Sequence, residues 1–114
     1  AVQGGRTPGR RFMPPTNDSV PENFSREMGL TFTEFLRTLP AAIGPFNFHL
    51  EGQAITIVHP SGTILIVLHE TGERRIASMR LPVTRVDFSF SGLEAVQRKA
   101  FMERFDLYYH RGGG

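Results

Sequence analysis

The chain has 114 residues, enough for one domain and too few for two. Hydrophobic residues make up 39% and charged residues 21%, which excludes a wholly disordered chain, and the longest apolar run, residues 64–68, falls far short of the about 20 residues of a membrane helix. Cysteine is absent, which excludes disulfides, thiolate nucleophiles, cysteine-bound zinc and iron–sulfur clusters; the net charge of +2 comes from the ends, because residues 28–110 carry eight bases and eight acids while residues 1–12 carry Arg6, Arg10 and Arg11 with no acid.

Residues 1–27 are rich in proline and glycine and lack any hydrophobic period, which predicts a disordered or loosely docked basic arm. The arm has no apolar core of the kind a secretory signal needs, so the expectation is a cytoplasmic protein with no membrane partner. The folded domain is expected over residues 28–110, and residues 111–114 as a flexible tail.

Within the domain, residues 30–39 read as a short helix. Thr31 and Glu34 have the spacing of a capping box, and Phe32, Phe35, Leu36 and Leu39 form one apolar face. Pro40 is expected to stop this helix, because the residue before a proline is pushed out of the α region.

Strands follow over residues 46–50, 53–59, 63–69, 74–81 and 83–90, separated by Glu51–Gly52, Pro60–Gly62 and Glu70–Gly72 turns, with Pro82 marking a bulge or an edge. Residues 92–110 read as a long helix, with Ser91 and Glu94 as a second capping box and Leu93, Val96, Ala100, Phe101, Phe105, Leu107 and Tyr108 on one broad half. The sum is an α+β protein: a short N-terminal helix, an antiparallel meander of four to five strands and a long C-terminal helix packed on the sheet.

With tight turns, Phe46, Phe48, Leu50, Ile55, Ile57, Leu65 and Val67 share one sheet face, and Asn47, His49, Ala54, Thr56, Val58, Ile64, Ile66 and Leu68 share the other. The second face is too apolar at its centre to be fully wet. It is covered either by the helix or arm or by a protein partner, which makes Val58, Ile64, Ile66 and Leu68 candidate interface residues. A one-residue slip at a turn would exchange the faces. Arg104 lies within the apolar half of the long helix; it either snorkels, pairs with Asp87 or Glu34, or joins the same interface.

Arg74, Arg75, Arg80 and Arg85 lie within twelve residues without an acid among them. They form either a basic strip for phosphate or a charged guard on an edge strand. His49, His59 and His69 are spaced by ten, but an antiparallel meander puts His59 and His69 at opposite ends and turns His49 away from His69, so no metal site is expected. No phosphate-binding loop, dinucleotide motif or nucleophile elbow occurs, and neither cofactor nor catalytic residue is expected.

The expected function is a non-enzymatic protein-interaction module, a homodimer or an accessory subunit. The alternative is a weak single-strand nucleic-acid binder using Arg74, Arg75, Arg80, Arg85 and the basic arm.

Overall fold

The computed structural model describes the backbone of residues 20–113 and the side chains of residues 20–109. The chain runs β1 (Asn23–Met28), α1 (Phe32–Ile43), β2 (Asn47–Glu51), β3 (Ala54–His59), β4 (Gly62–Ile76), β5 (Met79–Ser91) and α2 (Ala95–Gly113). The five strands form one antiparallel sheet in the order β1-β5-β4-β3-β2. This is the expected α+β architecture, with the long C-terminal helix on the sheet. The first nineteen residues of the expected arm lie outside the described residues.

The arm ends earlier than expected. Asn23–Met28 is an edge strand, paired with β5 from Asn23↔Ser89 to Met28↔Thr84. Alternation places Phe24 and Met28 on the core face, where the Phe24 ring stacks on Phe88 at 4.7 Å and 10°. Arg26, between them, bridges to Asp106 of α2 at 2.6 Å with its guanidinium 5.7 Å from the Phe88 ring centre.

Helix α1 starts at the expected capping box: the Glu34 amide donates to Thr31 Oγ1 at 3.1 Å and the Thr31 amide donates to Glu34 Oε1 at 2.9 Å. It does not stop at Pro40. The proline removes one amide donor, yet the helix continues another turn and closes at Gly44, whose amide donates to the Pro40 carbonyl at 3.2 Å. The extra turn buries Ala42 and Ile43 completely or nearly so, and that burial outweighs the lost hydrogen bond.

The central correction concerns register. The β3–β4 connection has two residues, Pro60 and Ser61, because His59 pairs with Gly62; Ile57 therefore pairs with Ile64 and Ile55 with Ile66. The three-residue turn read from the sequence is one residue too long, and the slip exchanges the faces of β4. Ile64, Ile66 and Leu68 sit fully buried beside Ile55 and Ile57, while Leu65 and Val67 join Val58 on the opposite face. The tight turn is possible because Gly62 packs on the backbone of Ser91; a Cβ there would overlap the Ser91 carbonyl oxygen.

Both helices cover the same face. Phe35, Leu39 and Ile43 from α1, Phe101, Met102, Phe105 and Tyr109 from α2, and Ile55, Ile57, Ile64, Ile66, Leu68, Val86, Phe88 and Phe90 from the sheet form one buried cluster. Phe88 meets Phe105 edge-on at 5.2 Å and Phe90 meets Phe101 edge-on at 5.7 Å; such pairs add about 0.5–1.5 kcal/mol beyond the area they bury. The Tyr109 hydroxyl donates to the Phe35 carbonyl at 2.6 Å, locking α2 to α1, and burial raises its pKa above the ordinary tyrosine value. The apolar face of α2 is narrower than the sequence wheel indicates, since Val96 and Leu107 are exposed. The helix begins at Ala95: Ser91 remains in β5 paired with Thr63, and Gln97 Oε1, not a serine, caps the Glu94 amide at 2.8 Å. Residues 111–113, expected as a tail, continue the helical backbone.

Gly62→Ala should destabilise the fold by about 3 kcal/mol, the upper end of overpacking costs, because backbone on both sides cannot yield. Gly52→Ala, at φ +63° with nothing within 4 Å of the new Cβ, should cost only about 1 kcal/mol of left-handed strain. Denaturant unfolding of the two variants measures the difference.

Candidate functional site

The sheet face opposite the helices is covered by no described residue. From the edge inward it presents Asn47, His49 and Glu51 of β2, Ala54, Thr56 and Val58 of β3, Thr63, Leu65, Val67 and His69 of β4, Arg85, Asp87, Ser89 and Ser91 of β5, and Asn23, Ser25 and Glu27 of β1. Its centre is uncharged. Val58 is 46% and Leu65 38% exposed on neighbouring central strands, with Thr56 and Thr63 directly opposite them. The charges sit together at one end, where Asp87 accepts from Ser25 at 2.5 Å and pairs with His69 at 3.0 Å and Arg85 at 3.3 Å. The hydrogen bond from Ser25, and then the nearby Arg85 and His69, hold the Asp87 carboxyl below the usual aspartate range.

Of the expected interface residues, then, Val58 alone lies on this face. Ile64, Ile66 and Leu68 form the core beneath it, and Arg104 is on α2, on the far side of the sheet. Leu65 and Val67 take their place. The signal for them was present in the sequence as the other half of the β4 alternation.

Beyond the helices, β4 and β5 continue as a two-stranded ribbon. Glu70–Gly72, expected as a turn, is a bulge that shifts the register within this pairing, and the expected strand over residues 74–81 is divided between the two arms: Arg74 pairs with Leu81, Arg75 with Arg80 and Ile76 with Met79. Ala77 turns the tip at φ 56°. Every residue from Thr71 to Arg80 is exposed, and Ile76 and Met79 are 52% and 60% exposed. The four arginines do not form one free strip. Arg74 bridges to Glu27 at 2.7 Å, Arg80 lies 4.0 Å from Glu73, and Arg85 belongs to the Asp87 cluster on the sheet. Arg75 faces Arg80 across the ribbon, and among the described residues no carboxylate pairs with it. Arg6, Arg10 and Arg11 lie outside the described residues.

The histidines are dispersed: His49 on the edge strand, His69 in its ion pair, and His59 at the end of β3 on the helix side. His49 and His69 share the bare face, contrary to the sequence reading, with β3 between their strands and Thr56 opposite His49. Among the described residues no group of three or more His, Asp or Glu side chains is placed to hold a metal ion.

A cleft of about 310 Å³ opens between the end of α1, the start of β2 and one side of α2. It is lined by Ile43, Pro45, Phe46, His59, Gln97, Ala100, Phe101 and Arg104. Arg104 closes one side: an Nη atom donates to the Ala41 carbonyl at 3.0 Å, and the guanidinium lies 4.9 Å from the Tyr108 ring centre. Neither Asp87 nor Glu34, its expected partners, is bonded to it.

No protein family model matches the chain, and no curated protein or solved structure is significantly similar to it. Among the described residues no helix is long and apolar enough to cross a membrane.

The lowered pKa of Asp87 implies stability that is present above the ordinary carboxylate range and lost as the pH falls through the depressed value. Ser25→Ala should raise the Asp87 pKa, followed by NMR of its side-chain carboxyl. It should also narrow the difference in melting temperature between neutral and acid pH, with wild type and variant converging once Asp87 is protonated.

Proposed function

We propose that the chain is a non-enzymatic protein-interaction module that works as a homodimer, with the bare sheet face as its docking surface. One observation carries the reading: seven adjacent positions at the centre of that face, Ala54, Thr56, Val58, Thr63, Leu65, Val67 and Ser89, bear no charge. Depletion of charge, more than total hydrophobicity, is what distinguishes the core of an interface from ordinary surface. The same feature favours a second copy as the occupant. A two-fold interface sets a patch against itself, so any central charge would meet its like; this patch has none, and the folded body around it is neutral.

The footprint is modest. Five strands about 4.8 Å apart, each contributing a length of about six residues at 3.4 Å, span roughly 24 by 20 Å. That is below the about 800 Å² per partner of a standard interface, in the size range of weak, transient association.

Light scattering after size exclusion at about 100 µM should give a dimer mass, retained or increased in sodium sulfate because apolar burial strengthens in excluded salts. Leu65→Arg should give a monomer whose melting temperature matches that of wild type diluted until it is monomeric, since the residue is exposed in the monomer. A wild-type monomer at that concentration overturns the reading.

The second reading, a weak single-strand nucleic-acid binder, keeps one supporting observation: the directly opposed pair Arg75 and Arg80 near the tip of an exposed ribbon. Like charges placed opposite each other destabilise a strand pair, and a phosphate between them would relieve that. Binding of a fluorescent oligothymidylate that falls steeply from 50 to 200 mM salt, and is weakened by Arg75→Ser, would favour it over the dimer.

A further inference from the structure

We infer that the cleft between α1, β2 and α2 is a binding site for a small monocarboxylate with an apolar chain or ring. The site is separate from the bare sheet face and does not rest on the dimer reading.

Volume comes first. At about 310 Å³ the cleft falls at the lower end of the about 300–1,000 Å³ that small-molecule sites occupy. Its walls are Ile43, Pro45, Phe46, Ala100 and Phe101, all apolar, with the Phe46 ring tilted against His59 at 4.8 Å between centres. Water held against such a surface makes few hydrogen bonds, so an apolar ligand body displaces it favourably.

Polarity enters through three side chains, and their existing bonds decide which of them can meet a ligand. Gln97 is committed at both ends: its Oε1 accepts from the Glu94 amide and its Nε2 donates to Ser61 Oγ at 2.7 Å. His59 is half committed. Its Nδ1 accepts from the Ser61 amide at 3.0 Å, which leaves the ring proton on Nε2, and no described residue accepts it. Arg104 spends one terminal nitrogen on the Ala41 carbonyl and the Tyr108 hydroxyl, at 3.0 and 3.3 Å. Its Nε–H and the other Nη group have no acceptor among the described residues.

Among the described residues, two side chains of the cleft, Arg104 and His59, therefore carry N–H groups with no acceptor, one side chain being permanently cationic, and no carboxylate lines it. That is complementary to an anion with an apolar body. A planar guanidinium matches a carboxylate in a bidentate pair, with the His59 N–H as a third donor.

The guanidinium is also held in place. Gly44, at φ +65°, ends α1 without a side chain, and a Cβ there would come within 3.0 Å of Arg104 Cζ and Nε. The guanidinium thus packs against the Gly44 backbone, 4.9 Å from the Tyr108 ring centre, which limits the conformational freedom it loses on binding.

Titration calorimetry and ¹⁵N–¹H spectra of the full chain with octanoate, 1-octanol and octylamine, each below its aggregation limit, test the assignment. Octanoate should bind one to one, about tenfold or more tighter than octylamine, with shifts confined to residues 43–46, 59–62 and 97–104. Arg104→Gln, which keeps a donor for the Ala41 carbonyl, should weaken octanoate about tenfold and leave octanol unchanged. Ala100→Trp places a side chain from an exposed helix position into the cleft, so it should abolish binding of both without lowering the melting temperature. Octanoate binding no tighter than octylamine, shifts outside the cleft, an unaffected Arg104→Gln variant, or no binding at 5 mM would each overturn the inference.

Discussion

Two residues between β3 and β4 decide what this molecule shows to solvent. Because Pro60 and Ser61 alone make the connection, Ile57 faces Ile64 and Ile55 faces Ile66. All four then point at the helices. A third turn residue would have put Leu65 and Val67 there and turned three branched side chains outward. The register is enforced by contact and not by the turn alone: Gly62 lies against the Ser91 carbonyl, and Gly92, at φ +86°, lies against Ser61, where a Cβ would come within 2.6 Å of its oxygen. Two glycines meeting backbone to backbone leave no room for the strand to slide by one position. The composition of the core and the uncharged centre of the bare face both follow from that pairing.

On the covered side, aromatic packing does most of the work. Phe35, Phe88, Phe101, Phe105 and Tyr109 form a continuous chain of ring contacts that joins α1, α2 and the sheet. Each fully buried phenylalanine contributes about 1.5–3 kcal/mol. The outer polar atoms of this layer are tied off: Thr84 Oγ1 donates to the Leu30 carbonyl at 2.6 Å, and Tyr109 to the Phe35 carbonyl. Between the N-terminal half of α2 and the end of α1 the ring chain stops at Phe101. The gap left beyond it is the cleft, with Arg104 at its side. So the cleft is not a defect in a well-packed core but the place where α1 ends, at Gly44, before α2 has finished crossing it.

Local signals in the sequence carried far, and non-local ones did not. The Thr31–Glu34 capping box, the i, i+3, i+4 pattern of α1, the alternation of β2, β3 and β5, and the absence of proline after Pro82 all describe chemistry within a few residues, and each element appears in the fold. Two local readings failed, since Ser91 stays in β5 instead of capping α2 and Glu70–Gly72 is a bulge and not a turn; the rest of what failed depended on partners distant in sequence. Asn23–Met28 has no convincing alternation of its own and becomes a strand only because β5 offers an edge. Pro40 is tolerated because Ala42 and Ile43 find a core to enter. The stretch of β4 from Ile64 to Leu68, apolar at every position, fits either face equally well by pattern, so its register was open to a slip that the Gly62–Ser91 contact resolves. The candidate surface inherited that slip: Val58 was legible, while Leu65 and Val67 were assigned to the wrong side. Arg104 stood out as a cation within an apolar helix face, with Tyr108 one turn on at i+4, but Gly44 beside it could not be read from spacing. His59 gave no sign beyond its place at a strand end.

The two candidate sites lie back to back across the end of one strand. Val58 and His59 are consecutive in β3, and alternation sends the first to the bare face and the second to the helix side. Their supports differ. Val58 is surrounded by strand neighbours on β2 and β4, whereas His59 is set by the Ser61 amide in the turn and by the Phe46 ring. Neither side chain shares a hydrogen bond with the other, and the buried layer of Ile57 and Ile64 separates the faces beside them. A charge introduced at position 65 and a bulky group introduced at position 100 therefore perturb surfaces with no common side-chain contact, and effects of well-separated substitutions on stability are expected to add. A departure from additivity would report a coupling through the elements that both surfaces touch, β3 and the Pro60–Ser61 turn: the Ser61 hydroxyl binds Gln97 at the cleft, and the two-residue turn sets the register of the face behind.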